Sequence, residues 1–184
     1  MYLPLNKTPD SPEERKELIG DILKQQEELF AQSIGYIQRL MIQYLIERGY
    51  TLDNIELNRG YEVVVSEKER FITSVDILIR LQEKVLYAIK CTPASIESWE
   101  RFMLAFCRVV EPYQIPFAMV TDGRQGRLIN ILTGEVKETM DIPKKEDLFA
   151  SSLKFMPYPS EKLPKEKRIL YAFDAIKCCP TCNI

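Results

Sequence analysis

Two short apolar segments in the middle of the chain predict a β-hairpin. The first runs from Phe71 to Ile79 and the second from Lys84 to Lys90, with a short polar break between them. Both segments are rich in β-branched and aromatic residues and are too short for typical helices. Asp76 lies inside the first segment, and Lys90 ends the second. A charge within an apolar strand is costly unless it is paired, binds a metal or does chemistry, so these two residues are the first candidate site.

Helical periodicity precedes the hairpin. A capping box at Ser11, with proline at the next position, predicts the start of a helix. We expect a break near Ser33 and then a second helix that ends at Gly49. The first helix carries a continuous apolar stripe that we expect to be buried, and the stripe includes Leu18, Ile22 and Leu29.

After the hairpin, the pattern alternates between helix and strand. It predicts a helix over 94–113, strands over 117–121 and 127–132, and a last helix over 164–177 behind a proline-rich linker. This mixture of elements predicts an α/β fold in which a mixed central sheet is flanked by helices.

Composition narrows the chemistry. There is no histidine among the 184 residues, which excludes Ser–His and Cys–His nucleophiles and every histidine metal site. The net charge is −2, so binding to a nucleic acid would need a local basic patch. No apolar run approaches the ~18 residues of a membrane span, and the N-terminus lacks a signal-peptide layout. We therefore expect a cytoplasmic protein with no membrane partner.

Three cysteines near the C-terminus form a second candidate site. Cys178, Cys179 and Cys182 include a C-x-x-C pair, which is typical of half a zinc site or of a redox pair. A closed zinc site needs about four ligands, so Cys91 or a second chain would have to complete it. The alternative is a tail of reduced thiols.

The hairpin and its surroundings resemble a known family. An Asp on one strand followed by Glu-x-Lys on the next is the signature of PD-(D/E)XK nucleases, and the wider pattern over 34–143 resembles the N-terminal domain of type I restriction-enzyme R subunits. The segments that carry this resemblance are Gly49-Tyr50, Ser74-Val75-Asp76-Ile77-Leu78, Ala88-Ile89-Lys90 and Val120-Thr121-Asp122-Gly123. The resemblance implies a restriction-endonuclease-like core.

The resemblance also implies an organisation of the chain. We expect an N-terminal helical extension over 1–32, a nuclease-like core over 33–143, and a linker, helix and Cys-rich tail over 144–184. No G-x-x-x-x-G-K-[ST] motif occurs, so we expect the chain to be less than a complete R subunit.

The sequence departs from the family at the catalytic motif. Ala88 stands where the family carries the Glu of Glu-x-Lys, and Phe102 and Phe106 align with a Gln and a Tyr of active relatives. Only Asp76 and Lys90 carry over. In an active relative the two acids hold Mg²⁺, and the lysine orients water or stabilises developing charge.

Three readings of the remnant motif stay open. Asp76 could hold Mg²⁺ weakly, with a replacement carboxylate from Glu62, Glu97 or Glu100. The pair could instead be a structural ion pair. Phosphates could also be bound without cleavage, by Lys90 together with Arg101, Arg108, Arg124 or Arg127.

The function we expect is therefore an R-subunit-like domain with a degenerate, inactive site, which acts as a nucleic-acid-binding or assembly module. The alternatives are an active Mg²⁺-dependent DNA endonuclease with a relocated carboxylate and an oligomerising scaffold. The expected partners are DNA, further copies of the chain or restriction-system subunits.

The motif requires that Asp76 and Lys90 lie on the same face of the hairpin. With a two-residue loop in a regular hairpin, Asp76 would oppose Ile89 and point away from Lys90, because a one-residue slip turns each side chain to the other face. An odd loop or a bulge removes the conflict. We predict a three-residue loop, Gln82-Glu83-Lys84, with Asp76 and Lys90 on one face near the N-terminal half of the second helix.

Overall fold

The computed structural model describes residues 11–150 and 153–178. Its helices are α1 (Pro12–Glu47), α2 (Glu100–Val109), α3 (Lys145–Ala150) and α4 (Leu163–Cys178). Its strands are β1 (Ile55–Leu57), β2 (Gly60–Val64), β3 (Arg70–Ser74), β4 (Ile77–Leu81), β5 (Lys84–Cys91), β6 (Phe117–Thr121), β7 (Gly126–Asn130) and β8 (Val136–Glu138).

The strands form one large sheet and one small one. The large sheet has six strands in the order β1-β4-β5-β6-β7-β8, and β2 pairs with β3 in a separate hairpin. β5 and β6 run parallel, and the other neighbours in the large sheet run antiparallel. The parallel pair arises because α2 carries the chain from β5 back across the sheet.

Helices cover both faces of this sheet, as the α/β pattern predicts. The second half of α1 packs on one face, over Ile77, Ile79 and Ile89. α2 and α4 pack on the other face, over Leu78 and Ala88. The expected fold class, a mixed sheet flanked by helices with additional N- and C-terminal helices, is confirmed.

The predicted break in the first helix is wrong. α1 is one helix of 36 residues, capped at its start by Ser11, whose side chain accepts a hydrogen bond from the Glu14 backbone. Ser33 does not interrupt it, because its hydroxyl donates to the Leu29 carbonyl at 2.9 Å within the same helix. The helix ends at Glu47, and Gly49 follows with a φ of +86°, in the left-handed region that glycine adopts most readily.

The predicted burial of the first part of α1 is also wrong. The exposed fraction of Leu29 is 62% and that of Ile19 is 56%, and Ile22 is only half-buried. The side chain of Leu18 lies outside the described part. Ile34 is the first α1 residue that packs against the core, so the preceding turns project from the body with an apolar stripe in solvent.

Candidate functional site

A β-bulge sets the geometry of the central hairpin. The loop has two residues, Gln82 and Glu83, with φ angles of +48° and +65°, so the predicted three-residue loop is wrong. Leu81 pairs with Lys84, and the register then shifts between Ile79 and Arg80. β5 therefore contains one extra residue opposite β4. Each later side chain of β5 then points to the face opposite the one that a regular two-residue hairpin would give it.

The bulge brings the two motif residues together. The Lys90 ammonium lies 3.0 Å from one Asp76 carboxylate oxygen and 3.3 Å from the other. The Cys91 backbone N–H donates a further hydrogen bond of 2.6 Å to the same carboxylate. Asp76 is 7% exposed. The prediction that Asp76 and Lys90 lie on one face is confirmed, and their side chains form an ion pair.

The backbone of Asp76 is fixed as firmly as its side chain. Its carbonyl accepts a hydrogen bond of 2.7 Å from the Gln38 side chain on α1 and one of 3.1 Å from the Asn58 backbone. Gln38 also donates to the Asn58 side chain at 3.3 Å. Asp76 is thus held from the helix, from the segment after β1 and from β5.

An aromatic cluster lies against Lys90. The ammonium sits 5.0 Å from the centre of the Trp99 ring, at the start of α2, which is a favourable cation–π distance. Trp99 also contacts Phe102 on α2 and Phe173 on α4, with ring centres 5.4 and 6.0 Å apart. The lysine is therefore enclosed by the α2–α4 side of the sheet, near the start of α2.

Apolar packing surrounds Ala88, the position at which the motif resemblance implied a glutamate. Ala88 is fully buried. It pairs with Leu78 on β4 and with Ala118 on β6, and both neighbours are fully buried as well. Phe102 and Phe106, which stand where active relatives carry polar residues, belong to the same core cluster.

The acids considered as replacements have other partners. Glu62 lies on the small β2–β3 sheet, 3.9 Å from Arg70. Glu100 forms an ion pair of 2.6 Å with Arg127, and Glu97 lies 3.6 Å from the same guanidinium. Within 11–150 and 153–178, no group of three or more Cys, Asp or Glu side chains is arranged to hold a metal.

Of the four arginines predicted to contact phosphate, three are already bound to acids. Arg101 and Arg108 lie 2.7 and 3.1 Å from Glu166 on α4, and Arg127 is paired as described above. Arg124 differs, since it is exposed in the turn after β6. It lines a shallow groove with Leu29, Tyr36 and Asp122.

Sequence reasoning missed the acid that joins α4 to α2. Glu166 is 3% exposed and binds Arg101 and Arg108, with the Tyr158 hydroxyl 3.1 Å from one carboxylate oxygen. Burial and the hydrogen bond to Glu166 raise the pKa of Tyr158. Arg101 and Arg108 are about two helical turns apart and so share a face, which is the signal that indicates a common acidic partner.

The cysteines divide into buried and undescribed groups. Cys91 and Cys107 are free and buried, and burial raises the pKa of the Cys91 thiol from 9.0 to about 12. The side chain of Cys178, and Cys179 and Cys182 entirely, lie outside the described residues. The predicted zinc or redox site stays a prediction.

The fold and the site together define a class. The molecule is an α/β domain whose mixed sheet carries a buried Asp–Lys pair across its central hairpin. Among the described residues, no helix is both long and apolar enough to cross a membrane.

The chain belongs to the family described as type I restriction enzyme R protein N terminus (HSDR_N), whose sequence profile matches residues 23–143. The resemblance read from the motifs is therefore confirmed at the level of the family. No curated protein matches the sequence significantly.

A solved structure is also similar to part of the chain. It is a fragment described as an HsdR subunit of a type I restriction enzyme from Vibrio vulnificus YJ016, with a TM-score of 0.47 and 16% sequence identity. The match covers 60% of this chain and 23% of that one, so this chain corresponds to less than a quarter of the solved fragment.

Proposed function

We propose that this chain is a non-cleaving domain of the R-subunit N-terminal type, with a PD-(D/E)XK-like core that serves assembly rather than hydrolysis. The observation that carries the proposal is the closed Asp76–Lys90 pair beside a fully buried Ala88. Cleavage would need a second carboxylate at or near position 88, and packing occupies that position.

The donor set fits Mg²⁺ poorly. Magnesium prefers octahedral oxygen coordination, and within the described part of the chain Asp76 is the one carboxylate at the hairpin site. Its two oxygens already face the Lys90 ammonium, and one also accepts the Cys91 N–H. A metal ion would have to displace these donors without a second acid to compensate for the lysine charge.

Plasmid nicking and metal titration test the proposal together. With Mg²⁺ or Mn²⁺ present, we expect the wild-type protein to nick supercoiled DNA no faster than the Asp76→Ala variant. Calorimetric titration with Mn²⁺ should show no saturable site that depends on Asp76. Metal-dependent nicking that disappears in Asp76→Ala would establish the alternative, an active endonuclease with a relocated carboxylate.

Binding to DNA without cleavage is a second candidate function, because Arg124 is exposed at the rim of a groove beside Tyr36. Arg124→Ala should then weaken binding to a short duplex, whereas Arg70→Ala, on the small sheet, should not. Equal affinity of both variants and the wild type would remove Arg124 from the function. Association with restriction-system subunits is a further part of the proposed assembly role.

A further inference from the structure

The projecting part of α1, residues 12–31, exposes an apolar stripe that nothing in the described chain covers. The stripe includes Ile19, Leu23, Leu29 and Phe30, which are exposed large apolar residues. A solitary helix of this length is marginal in water, and helices in proteins draw most of their stability from packing of an apolar face. The stripe therefore needs a partner surface.

Two charges mark one edge of the stripe. Lys16 and Glu27 are separated by about three helical turns and so lie on the same side of α1, next to Leu23. Lys24 and Glu28 lie on the side of the helix that is opposite the apolar stripe. An antiparallel second copy would bring Lys16 of one helix beside Glu27 of the other, and the symmetry would form this contact twice.

We propose that two copies of this chain associate through antiparallel pairing of residues 12–31 of α1. In the register that aligns Lys16 with Glu27, the two-fold axis passes next to Ile22, and Ile19 and Leu23 pack around it. In a parallel pair the two edges that carry Lys16 and Glu27 would lie on opposite sides of the interface, and these charges would not meet. Charge therefore favours the antiparallel arrangement.

The same register fits the shape of the molecule. It pairs Pro12 with residue 31, so the partner helix ends just before Ile34, where α1 begins to pack on the body. The pairing covers the projecting turns over about 30 Å.

This inference specifies the assembly part of the proposed function and can fail without it. A monomeric chain would overturn the dimer and leave the inactive site as proposed. Nicking by the wild type would overturn the inactivity and say nothing against the dimer.

Sedimentation equilibrium on the full chain measures the association. We expect a species of twice the 21.5 kDa chain mass. Lys16→Glu and Glu27→Lys should each weaken dimerisation about tenfold, because two attractive contacts become repulsive. The double variant Lys16→Glu/Glu27→Lys should recover wild-type association, since the swapped charges match again.

The opposite side of the helix supplies matched controls. Lys24→Glu and Glu28→Lys make the same changes of charge away from the pairing edge, and we expect both to dimerise like the wild type. Far-UV circular dichroism and the melting temperature should show that every variant is folded. A monomeric wild type, a double variant no better than the singles, or equal weakening by the control changes would each overturn the proposal.

Discussion

Leu86 and Tyr87 are consecutive residues of β5, yet both pack in the core that contains α1. In a regular strand they would point to opposite faces. The two-residue loop alone would have sent Lys90 to the face away from Asp76, and the extra residue at Leu86 reverses this. The contact between Asp76 and Lys90 therefore depends on the bulge as much as on the two charges.

Removal of Lys90 should be far more costly than removal of the whole pair. Lys90→Met leaves the buried Asp76 carboxylate without its counter-charge, so we expect the free energy of unfolding to fall by about 3–5 kcal/mol. The double variant Asp76→Asn/Lys90→Met should recover much of this loss. Urea unfolding followed by tryptophan fluorescence measures both.

An ion pair on the surface provides the control for the Lys90 variants. Arg70 and Glu62 lie 3.9 Å apart with both side chains 62% exposed. Arg70→Met should therefore change the unfolding free energy by about 1 kcal/mol or less. If Lys90→Met is no more harmful than Arg70→Met, the Asp76–Lys90 pair does not stabilise the hairpin.

Restoring the acid should create a metal site at a cost in stability. Ala88→Glu places a carboxylate on the face of Asp76 but among buried apolar neighbours, so we expect a lower melting temperature without metal. Mn²⁺ should raise that temperature, because binding to the folded state stabilises it. Thermal unfolding with and without Mn²⁺ checks the prediction.

Ala118→Glu is the matched variant for this experiment. Ala118 is as buried as Ala88 and lies beside it on β6, but it is one strand further from Asp76. We expect it to destabilise the fold without gaining Mn²⁺ affinity. Similar responses to Mn²⁺ in both variants would mean that Asp76 is not part of the metal site.

Glu166 should prove to be the main polar attachment of α4. Glu166→Gln removes the charge between Arg101 and Arg108, and we expect a loss of about 2 kcal/mol in the unfolding free energy. Limited proteolysis should cleave the variant faster in the segment that precedes α4. Glu161→Gln, at an exposed position, should behave like the wild type, and equal behaviour of the two variants would contradict the assignment.

The buried thiol of Cys91 should make the fold sensitive to high pH. Its pKa is raised from 9.0 to about 12 by burial, so between these values the unfolded chain loses the thiol proton and the folded chain keeps it. The contribution of the protonated thiol to the free energy of unfolding is therefore fully present below pH 9, and it falls as the pH rises toward 12. Cys91→Ala should lessen the slope of unfolding free energy against pH, and identical slopes would contradict the shift.

Local patterns predicted the elements better than their connections. The apolar run that ends at Lys90 identified the second strand of the hairpin. The first run, predicted as one strand over 71–79, is divided in the structure between β3 and β4, which belong to different sheets, and Asp76 lies between them. The shared face of the two charges was implied by the nuclease motif, because the apolar pattern does not fix it. The bulge at Leu86 could not be read from sequence, because the run from Val85 to Ile89 is apolar throughout and leaves the register undetermined.

The errors in α1 have a similar physical origin. A stripe of apolar residues predicts that a helix has a face to bury, but it does not say whether the same chain supplies the covering surface. That is why Leu29 was expected to be buried and is exposed. The partner of Arg108 could not be predicted from local sequence either, because Glu166 lies 58 residues further along the chain.

Ala88 also affects the electrostatic free energy of the folded state when no metal is bound. Two carboxylates close together repel each other, so a metal-dependent hairpin is under electrostatic strain until a cation neutralises it. Here one carboxylate faces one ammonium, and a methyl group occupies the third position. Under the proposed function the hairpin needs no cation to balance its charges, so a chelator should leave its melting temperature unchanged.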